Sequence, residues 1–581
     1  MAKNKLVAKI FYDIADMLEL QGVQWKPRAY RKAALEIESL PEDVEAVYAR
    51  GELEKIPGVG ENIAKKIAEI IETGKLKYYE DLKKQLPINF EQLSTIAGIG
   101  PKKARVLYEK LGVRDIASLK KALRKHELRE LEGFGEKTEE NISLALKQAE
   151  ARKTNRVPLG FALADASQVV SGLKKACSQA IQQIEVAGST RRMKETIRDI
   201  DVLVAVSNTP NAAANAKLVV NAFTSLPFVS RVLARGETKS SVVLESGLNC
   251  DLRVVELDAF GSALQYFTGS KDHNIKLRKI AIAKKLKLSE YGVFKRETNK
   301  RVAGRSEQEV YAALGLPFIE PELREDTGEV EAALSNKLPK LVGYNEVRGD
   351  LHVHSNYSDG SFSIKEMVEA AGRLGREYVA VTDHSPGLGV AHGLKEQALK
   401  KHALECARVE KETGIRVLHG SEVNIRLDGK LDYPNKVLKD FDFVVASVHS
   451  GFNLPKEKQT ARVLRALDNE FVHALGHPTC RKINQRDGIE LDLNAVFEKA
   501  RENKVLLEIN SWPERLDLRD VQAREAVSKG VTLVISTDAH STQHLENMRL
   551  GIATARRGWV EQKNVANTLS FKDFERKWLK K

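Results

Sequence analysis

From residue 347 onward the sequence repeats one device seven times: a short apolar run that ends in polar or ionisable residues. The runs are GDLHVHS, YVAVTDH, IRVLHGSEVN, FDFVVASVH, FVHALGHP, VLLEINS and TLVISTDAH, separated by amphipathic helical stretches. Seven strand–helix units predict a barrel of the (β/α)7 type, in which chemistry collects at the C-terminal ends of the strands. The histidines fall at those ends. Of 13 histidines, only His126 and His273 precede residue 350, and the other 11 lie between His352 and His544. The two parts of the chain are therefore expected to do different chemistry.

The strand ends carry His352-x-His354, Asp359, His384, Glu422, His449, His477 and Asp538-x-His540. An H-x-H on a strand points two imidazoles to the same face. Imidazole suits Zn, Mn or Fe, and mixed His, Asp and Glu sets suit multinuclear hydrolytic centres. His392, His402, His419, His473 and His544 fall outside the set and are read as structural.

The first 150 residues read as all-helical. IADMLELQG, YRKAALEIESL, IAKKIAEIIETG and ISLALKQAEARK place apolar residues three and four apart. Three glycine motifs punctuate them: IPGVGENIAKKI (Gly58, Gly60), IAGIGPKKARVL (Gly98, Gly100) and LEGFGEKTEENI (Gly133, Gly135). Each sets a tight turn before a polar helix start, where exposed amides can hold a phosphate oxygen. They resemble the helix-hairpin-helix motif, which grips the DNA backbone without reading sequence. One G-x-G fits a plain helix turn equally well; three, each with Lys close behind, favour backbone binding. The balance of 93 Lys and Arg against 80 Asp and Glu, a net charge of +13, suits a polyanionic partner.

Residues 155–260 shift to α/β character. Asp199 and Asp201 form a D-x-D on one strand, so both carboxylates project from one face, and Asp251 lies in a later strand, CDLRVV. Three clustered carboxylates repel one another unless a cation sits between them, which makes a hard-oxygen site for Mg²⁺ in phosphoryl transfer. Just upstream, Gly188-Ser189-Thr190-Arg191-Arg192 offers a glycine turn, hydroxyls and guanidinium groups suited to a triphosphate. A lone D-x-D is common; the combination is far more specific.

These residues resemble a known family. GSTRR, DID and CDLR are similar to the nucleotidyltransferase palm, and YFTGSKDHNIKLR (266–278) to the nucleotide-binding segment of family X DNA polymerases. WKPRAYRKAALEIESLP (25–41) and IPGVGENIAKKIAEIIETGKL (56–76) resemble that family's small N-terminal DNA-binding domain, so the likeness runs through residues 1–318. It implies a catalytic Mg²⁺ pair on Asp199, Asp201 and Asp251, with Asp251 near the primer 3′-hydroxyl. It implies triphosphate contacts from Gly188, Ser189 and Arg192, and Tyr266, Phe267 and Gly269 at the sugar. Lys271 would lie at the base-stacking position, Asn274 on the minor-groove edge of the incoming base and Arg278 on the template strand. Lys26 and Tyr30 match a 5′-phosphate pocket. Lys66 aligns with a Schiff-base lysine of some relatives, although a cation on a DNA-facing helix is the preferred reading. Two departures stand out: Asn249 replaces an Arg beside the third Asp, and Lys271 replaces an acid.

The barrel resembles the PHP family (polymerase and histidinol phosphatase) at all nine of its ligand positions. The resemblance implies a trinuclear site of Zn²⁺ or Mn²⁺, about three ions, for phosphodiester hydrolysis. A small-molecule phosphatase and a non-catalytic scaffold are the alternatives. The complete ligand set and the fusion to a polymerase favour a 3′–5′ exonuclease, with abasic-site cleavage as a further activity. The chain is thus identified as a family X polymerase with a C-terminal PHP domain, a DNA repair enzyme that uses deoxynucleoside triphosphates to fill gapped or primed DNA.

The expected architecture has six parts. They are an N-terminal helical domain (1–85), a helix-hairpin-helix domain (86–152), an α/β nucleotidyltransferase palm (153–260), a thumb-like nucleotide-selection domain (261–318), a Pro- and charge-rich linker (319–346) and the PHP barrel (347–581). No apolar run reaches the roughly 18 residues of a membrane span. The four cysteines, Cys177, Cys250, Cys406 and Cys480, lie far apart, which fits a reducing cytoplasm. A monomer is expected.

Overall fold

The structure is a computed structural model. It describes residues 2–21, 23, 25–40, 42–85, 93, 99, 101–131, 134–135, 138–139, 142–143, 146, 156–207, 211–388 and 391–579. The chain forms two compact units, residues 1–155 with 274–287, and residues 156–273 with 288–581. Each is described by itself.

The first unit is helical. Helices Ala2–Leu20, Lys26–Ser39 and Glu61–Thr73 turn Phe11, Ile14, Ile37, Ile67 and Ile70 into one core. In Glu61–Thr73 the buried positions are Ala64, Ile67, Ile70 and Ile71, the three-and-four spacing of a single helical face. Gly74 ends this helix in the left-handed region, where a side chain would be strained. A second small core gathers Leu93, Leu107, Leu119, Leu128 and Phe134. Asp115 caps helix Ile116–Arg124 through a reciprocal pair with Ser118.

The second unit holds two sheets that matter here. The palm sheet consists of β1 (Gln183–Val186), β2 (Asp199–Val206), β3 (Val229–Arg235), β4 (Lys239–Leu244) and β5 (Asn249–Glu256), in the order β1-β2-β5-β4-β3. Strands β2 and β5 run parallel, and the other pairs are antiparallel. Along β2 the first residues alternate: Ile200 and Val202 point down into a core shared with helices Leu159–Cys177 and Ala212–Thr224, while Asp199 and Asp201 point up. On the upper face Leu203 and Ala205 continue the strand, and helix Phe260–Thr268 covers them with Phe260, Ala263 and Leu264. The carboxylates are thus left where that cover stops.

The barrel consists of β6 (Gly349–Val353), β7 (Tyr378–Val381), β8 (Arg416–Asn424), β9 (Phe443–Ser447), β10 (Ala474–Leu475), β11 (Leu506–Asn510) and β12 (Leu533–Ser536). All are parallel and ordered as in the sequence. A bridge between Val353 and Ala539, with the His354 amide donating to the Ala539 carbonyl at 2.9 Å, nearly closes the ring. Buried Val and Ile side chains of this kind contribute about 1.5–3 kcal/mol each, and the strands present them on both faces.

Residues 319–346 are held by buried charge. Arg324 pairs with Glu307 at 2.5 Å, Glu322 with Arg556 at 2.7 Å and Glu329 with His273 at 2.7 Å. One short helix, Glu329–Leu334, lies within the segment. No helix among the described residues is long and apolar enough to cross a membrane.

Candidate active sites

The palm site is built by strand register. Asp201 stands opposite Asp251 and Asp199 opposite Asn249 across the parallel β2–β5 pair. The two strands therefore bring the three carboxylates to one patch. Gly188 lies directly beneath, with φ +64°, and a Cβ there would fall 2.1 Å from Asp201 Oδ2. Only glycine lets this turn approach the carboxylate. Burial pushes the Asp201 carboxyl up to about 7, and Asp199 and Asp251 add to the rise, while Arg253 and Arg192 oppose it. A carboxyl held this far from its ordinary range by burial and by neighbouring like charges has the environment a divalent cation would relieve. An all-oxygen donor set suits Mg²⁺.

The nucleotide set partly converges on this patch. Arg192 donates from Nε to Glu325 at 3.0 Å and from Nη1 to the Thr268 carbonyl. Gly269 ends helix Phe260–Thr268 at φ 69°, and a Cβ on it would meet Arg192 Nη1 at 3.2 Å. Ser189 is half-buried in the turn beside Gly188. Tyr266 and Phe267 pack edge-to-face at 5.1 Å, and the Arg253 guanidinium lies 4.9 Å from the Phe267 ring. Lys271 is exposed at the start of helix Lys271–Ala283; Asn274 and Arg278 follow on that helix, within the first unit.

In the first unit, Gly58 (φ +84°) makes a sharp turn and Gly60 caps helix Glu61–Thr73. Gly135 also adopts a positive φ. Gly98, Gly100 and Gly133 lie outside the described residues. Lys26 is exposed at the start of its helix, and Tyr30 is buried and stacks on Tyr78 at 6.5 Å. Lys66 Nζ lies 5.3 Å from the Tyr78 ring and donates to the Asn62 carbonyl at 3.2 Å. Burial lowers the Lys66 amine pKa, with Glu69 opposing and Lys26 assisting.

The barrel site lies at the C-terminal strand ends. Glu422 of β8 is its centre. Its Oε2 lies 3.3 Å from His352 Nε2, 3.6 Å from His354 Nε2 and 3.0 Å from His384 Nδ1. Its Oε1 lies 3.1 Å from His449 Nε2 and 2.9 Å from His477 Nε2. Asp538 Oδ1 approaches His354 Nε2 at 3.2 Å, and Asp359 approaches His384 Nε2 at 3.5 Å and His540 Nε2 at 3.4 Å. Three overlapping donor groups could each hold a metal ion: His354, Asp359, His384 and His540; His352, His354, Glu422 and Asp538; His384, Glu422 and His449. His477 joins the cluster through Glu422 and falls outside these three groups.

The fit to metal is visible in what these atoms lack. His352 Nε2, both ring nitrogens of His354, His384 Nδ1 and Glu422 Oε2 are buried without a hydrogen-bond partner. Orphaned buried polar atoms are costly, and here they point at one another across a shared centre. Burial, His540 and His384 lower His354 to about 4, whereas Asp359 and Asp538 outweigh burial at His540 and lift it to about 9.

The remaining histidines serve elsewhere. His402 pairs with Asp383 at 3.0 Å, the His419 ring lies tilted 5.0 Å from that of His402, and His473 Nδ1 accepts from the Val444 amide at 3.1 Å. His544 Nδ1 accepts from the His540 amide at 3.3 Å, and His392 is exposed.

Sequence reasoning missed several neighbours. Glu508 of β11 accepts from His352 Nδ1 at 2.8 Å and from the His477 amide at 2.6 Å. Asn510 bonds both Glu508 and Asp538 at 3.1 Å. Asn424 Oδ1 meets His449 Nδ1 at 2.5 Å. In the palm, the Ser241 hydroxyl donates to Asp251. The buried Glu within the apolar run VLLEINS was the one available signal for the first pair.

A palm sheet with three clustered carboxylates and a parallel barrel with a His, Asp and Glu cluster in one chain define a class, and comparison with known proteins agrees. Family models match as DNA polymerase beta thumb (residues 263–325), helix-hairpin-helix domain (2–76), SAM-like helix-hairpin-helix tandem (90–148) and PHP domain (350–511). The chain is 40% identical over 576 residues to "DNA polymerase/3'-5' exonuclease PolX" of Bacillus subtilis (strain 168), covering 98% of each. A probable phosphatase of Acetivibrio thermocellus is 33% identical over 202 residues, covering 33% of this chain and 78% of that protein. A probable phosphatase of Thermoanaerobacter sp. (strain X514) is 28% identical over 231 residues, covering 38% and 89%. The chain belongs to the family X DNA polymerases that carry a PHP domain.

Proposed function

We propose that the chain is a DNA polymerase with a 3′–5′ exonuclease in its barrel, working on gapped or primed DNA with deoxynucleoside triphosphates. The observation that carries this reading is that three clustered palm carboxylates and a His, Asp and Glu cluster in the barrel stand in one chain, alongside near full-length similarity to a protein named for both activities. Asp199, Asp201 and Asp251 hold Mg²⁺, and the nine barrel residues hold about three Zn²⁺ or Mn²⁺. When bound, these ions neutralise phosphate charge and activate an attacking oxygen.

The chain's own residues orient the reactants. Gly188 admits the triphosphate to the carboxylates; Ser189 and Arg192 hold its oxygens. Tyr266, Phe267 and Gly269 bound the sugar, with Lys271 and Asn274 at the base and Arg278 on the template. Ser241 fixes one oxygen of Asp251 and leaves the other for the primer end. In the barrel, Glu508 and Asn424 fix the tautomers of His352 and His449. The glycine motifs that contain Gly58, Gly60, Gly98, Gly100, Gly133 and Gly135, with Lys26 and Tyr30, hold DNA backbone. Lys66 is read as a DNA-facing cation. Its lowered amine pKa favours the second reading, an abasic-site lyase, and borohydride trapping of an abasic oligonucleotide decides between them. Four buried, unpaired thiols support a reducing cytoplasm, where the chain acts in DNA repair as a monomer and also incises abasic sites.

The test is a gapped duplex with and without nucleotides. Nucleotides should give extension, and their omission 3′ shortening; chelation should stop both and added metal restore both. Faster turnover of a nitrophenyl phosphate than of a 3′-recessed duplex would instead make the barrel a phosphatase.

A further inference from the structure

We propose that the barrel sets the polymerase's triphosphate-binding arginine, with Arg557 as the positioning residue. This rests on the reading of Arg192 as a triphosphate contact. Arg557 is the last residue of helix Met548–Arg557. Its Nη1 donates to the Arg192 carbonyl at 2.8 Å and to Glu325 Oε1 at 3.1 Å, and its Nε donates to Asp520 at 2.9 Å. The same Glu325 oxygen accepts from Arg192 Nε at 3.0 Å. One barrel side chain, 6% exposed, therefore fixes both the backbone and, through Glu325, the guanidinium of Arg192.

The consequence is preorganisation. With Nε on Glu325 and Nη1 on the Thr268 carbonyl, Nη2 of Arg192 is the nitrogen without a hydrogen bond among the described residues. It is left for a phosphate oxygen. An arginine already held in one rotamer loses little freedom when the nucleotide arrives, so affinity gains without any new contact. A second barrel contact pins the same stretch: Arg481 pairs with Glu195 at 2.7 Å.

The helix also connects the two reaction centres. Its first residue follows the short helix Thr542–Asn547, which carries His544, and His544 accepts from the amide of His540 in the barrel cluster. Ten helical residues span about 15 Å, so one rigid element runs from the nuclease mouth to the nucleotide arginine. A device of this kind gives the polymerase a dependence on its nuclease domain that involves no shared active-site residue.

The experiment uses the full chain with Arg557→Ala, Arg557→Lys, Glu325→Gln and Arg192→Ala. Steady-state primer extension should show KM for the nucleotide raised about tenfold in Arg557→Ala, with kcat changed less than about twofold. Arg557→Lys should recover part of the loss. Barrel digestion of a 3′ end should stay at its original rate in every Arg557 and Glu325 variant. An unchanged KM in Arg557→Ala, with Arg192→Ala raising it, overturns the positioning role alone. An unchanged KM in Arg192→Ala overturns the underlying assignment of Arg192. Parallel loss of extension and digestion in Arg557→Ala also overturns the proposal, because it marks a purely structural role.

Discussion

The palm and the barrel solve the same electrostatic problem in opposite ways. In the palm, three carboxylates sit half-buried at the edge of a covering helix, and the protein offers oxygen alone. In the barrel, His352 and His354 are 0% exposed and Glu422 is 1% exposed, and nitrogen outnumbers oxygen. A site with few donors would be completed by the substrate's own phosphates, so a Mg²⁺ held there would arrive with the nucleotide. A buried site with three overlapping donor groups can keep its ions without substrate. The difference teaches that burial and donor chemistry, more than the identity of the reaction, decide whether a metal is resident or delivered.

The largest effect should come from emptying one centre while sparing the other. Asp201→Ala should reduce primer extension on the order of 10³-fold or more, with 3′ digestion retained; His352→Ala should do the reverse. Rate measurements on one primed duplex check both, and a variant that loses both activities together would erase the contrast.

A smaller effect is expected one layer out. Glu508→Gln keeps the shape but weakens the acceptor that orients His352. Digestion or metal affinity should fall about 10–100-fold, with extension untouched. Equal digestion by both proteins would remove Glu508 from the site.

The smallest effect concerns protons. Asp201 is raised to about 7, so its carboxyl is largely protonated at pH 6 and ionised at pH 8. Mg²⁺ competes with that proton. The metal affinity of the palm should therefore fall about tenfold from pH 8 to pH 6. Titration of Mg²⁺ against primer extension at each pH checks it, and Asp201→Asn should abolish the dependence together with the activity.

Much of both sites was legible in the sequence, for a physical reason. A period of two places Asp199 with Asp201, and His352 with His354, on one face whatever the rest of the chain does. Seven apolar runs sufficed to place their polar ends at one rim. What stayed hidden were contacts made across closed structure. Glu508 meets His352 through the barrel interior, 156 residues away. Ser241 reaches Asp251 through antiparallel register, and a serine in KSSVVL carries no signal of that. Residues 319–346 read as a linker because they are rich in Pro and charge and poor in core residues. Glu322, Arg324 and Glu329 are nonetheless buried, since the partners Arg556, Glu307 and His273 come from other elements.

Metal analysis of the full chain, dialysed against Mg²⁺ without substrate, tests the account most directly. About three Zn²⁺ or Mn²⁺ should remain per chain, should be lost in His352→Ala with Asp538→Ala, and should persist in Asp199→Ala with Asp201→Ala. A chain that retains no stoichiometric transition metal, or loses it when the palm carboxylates are removed, would contradict two independent centres.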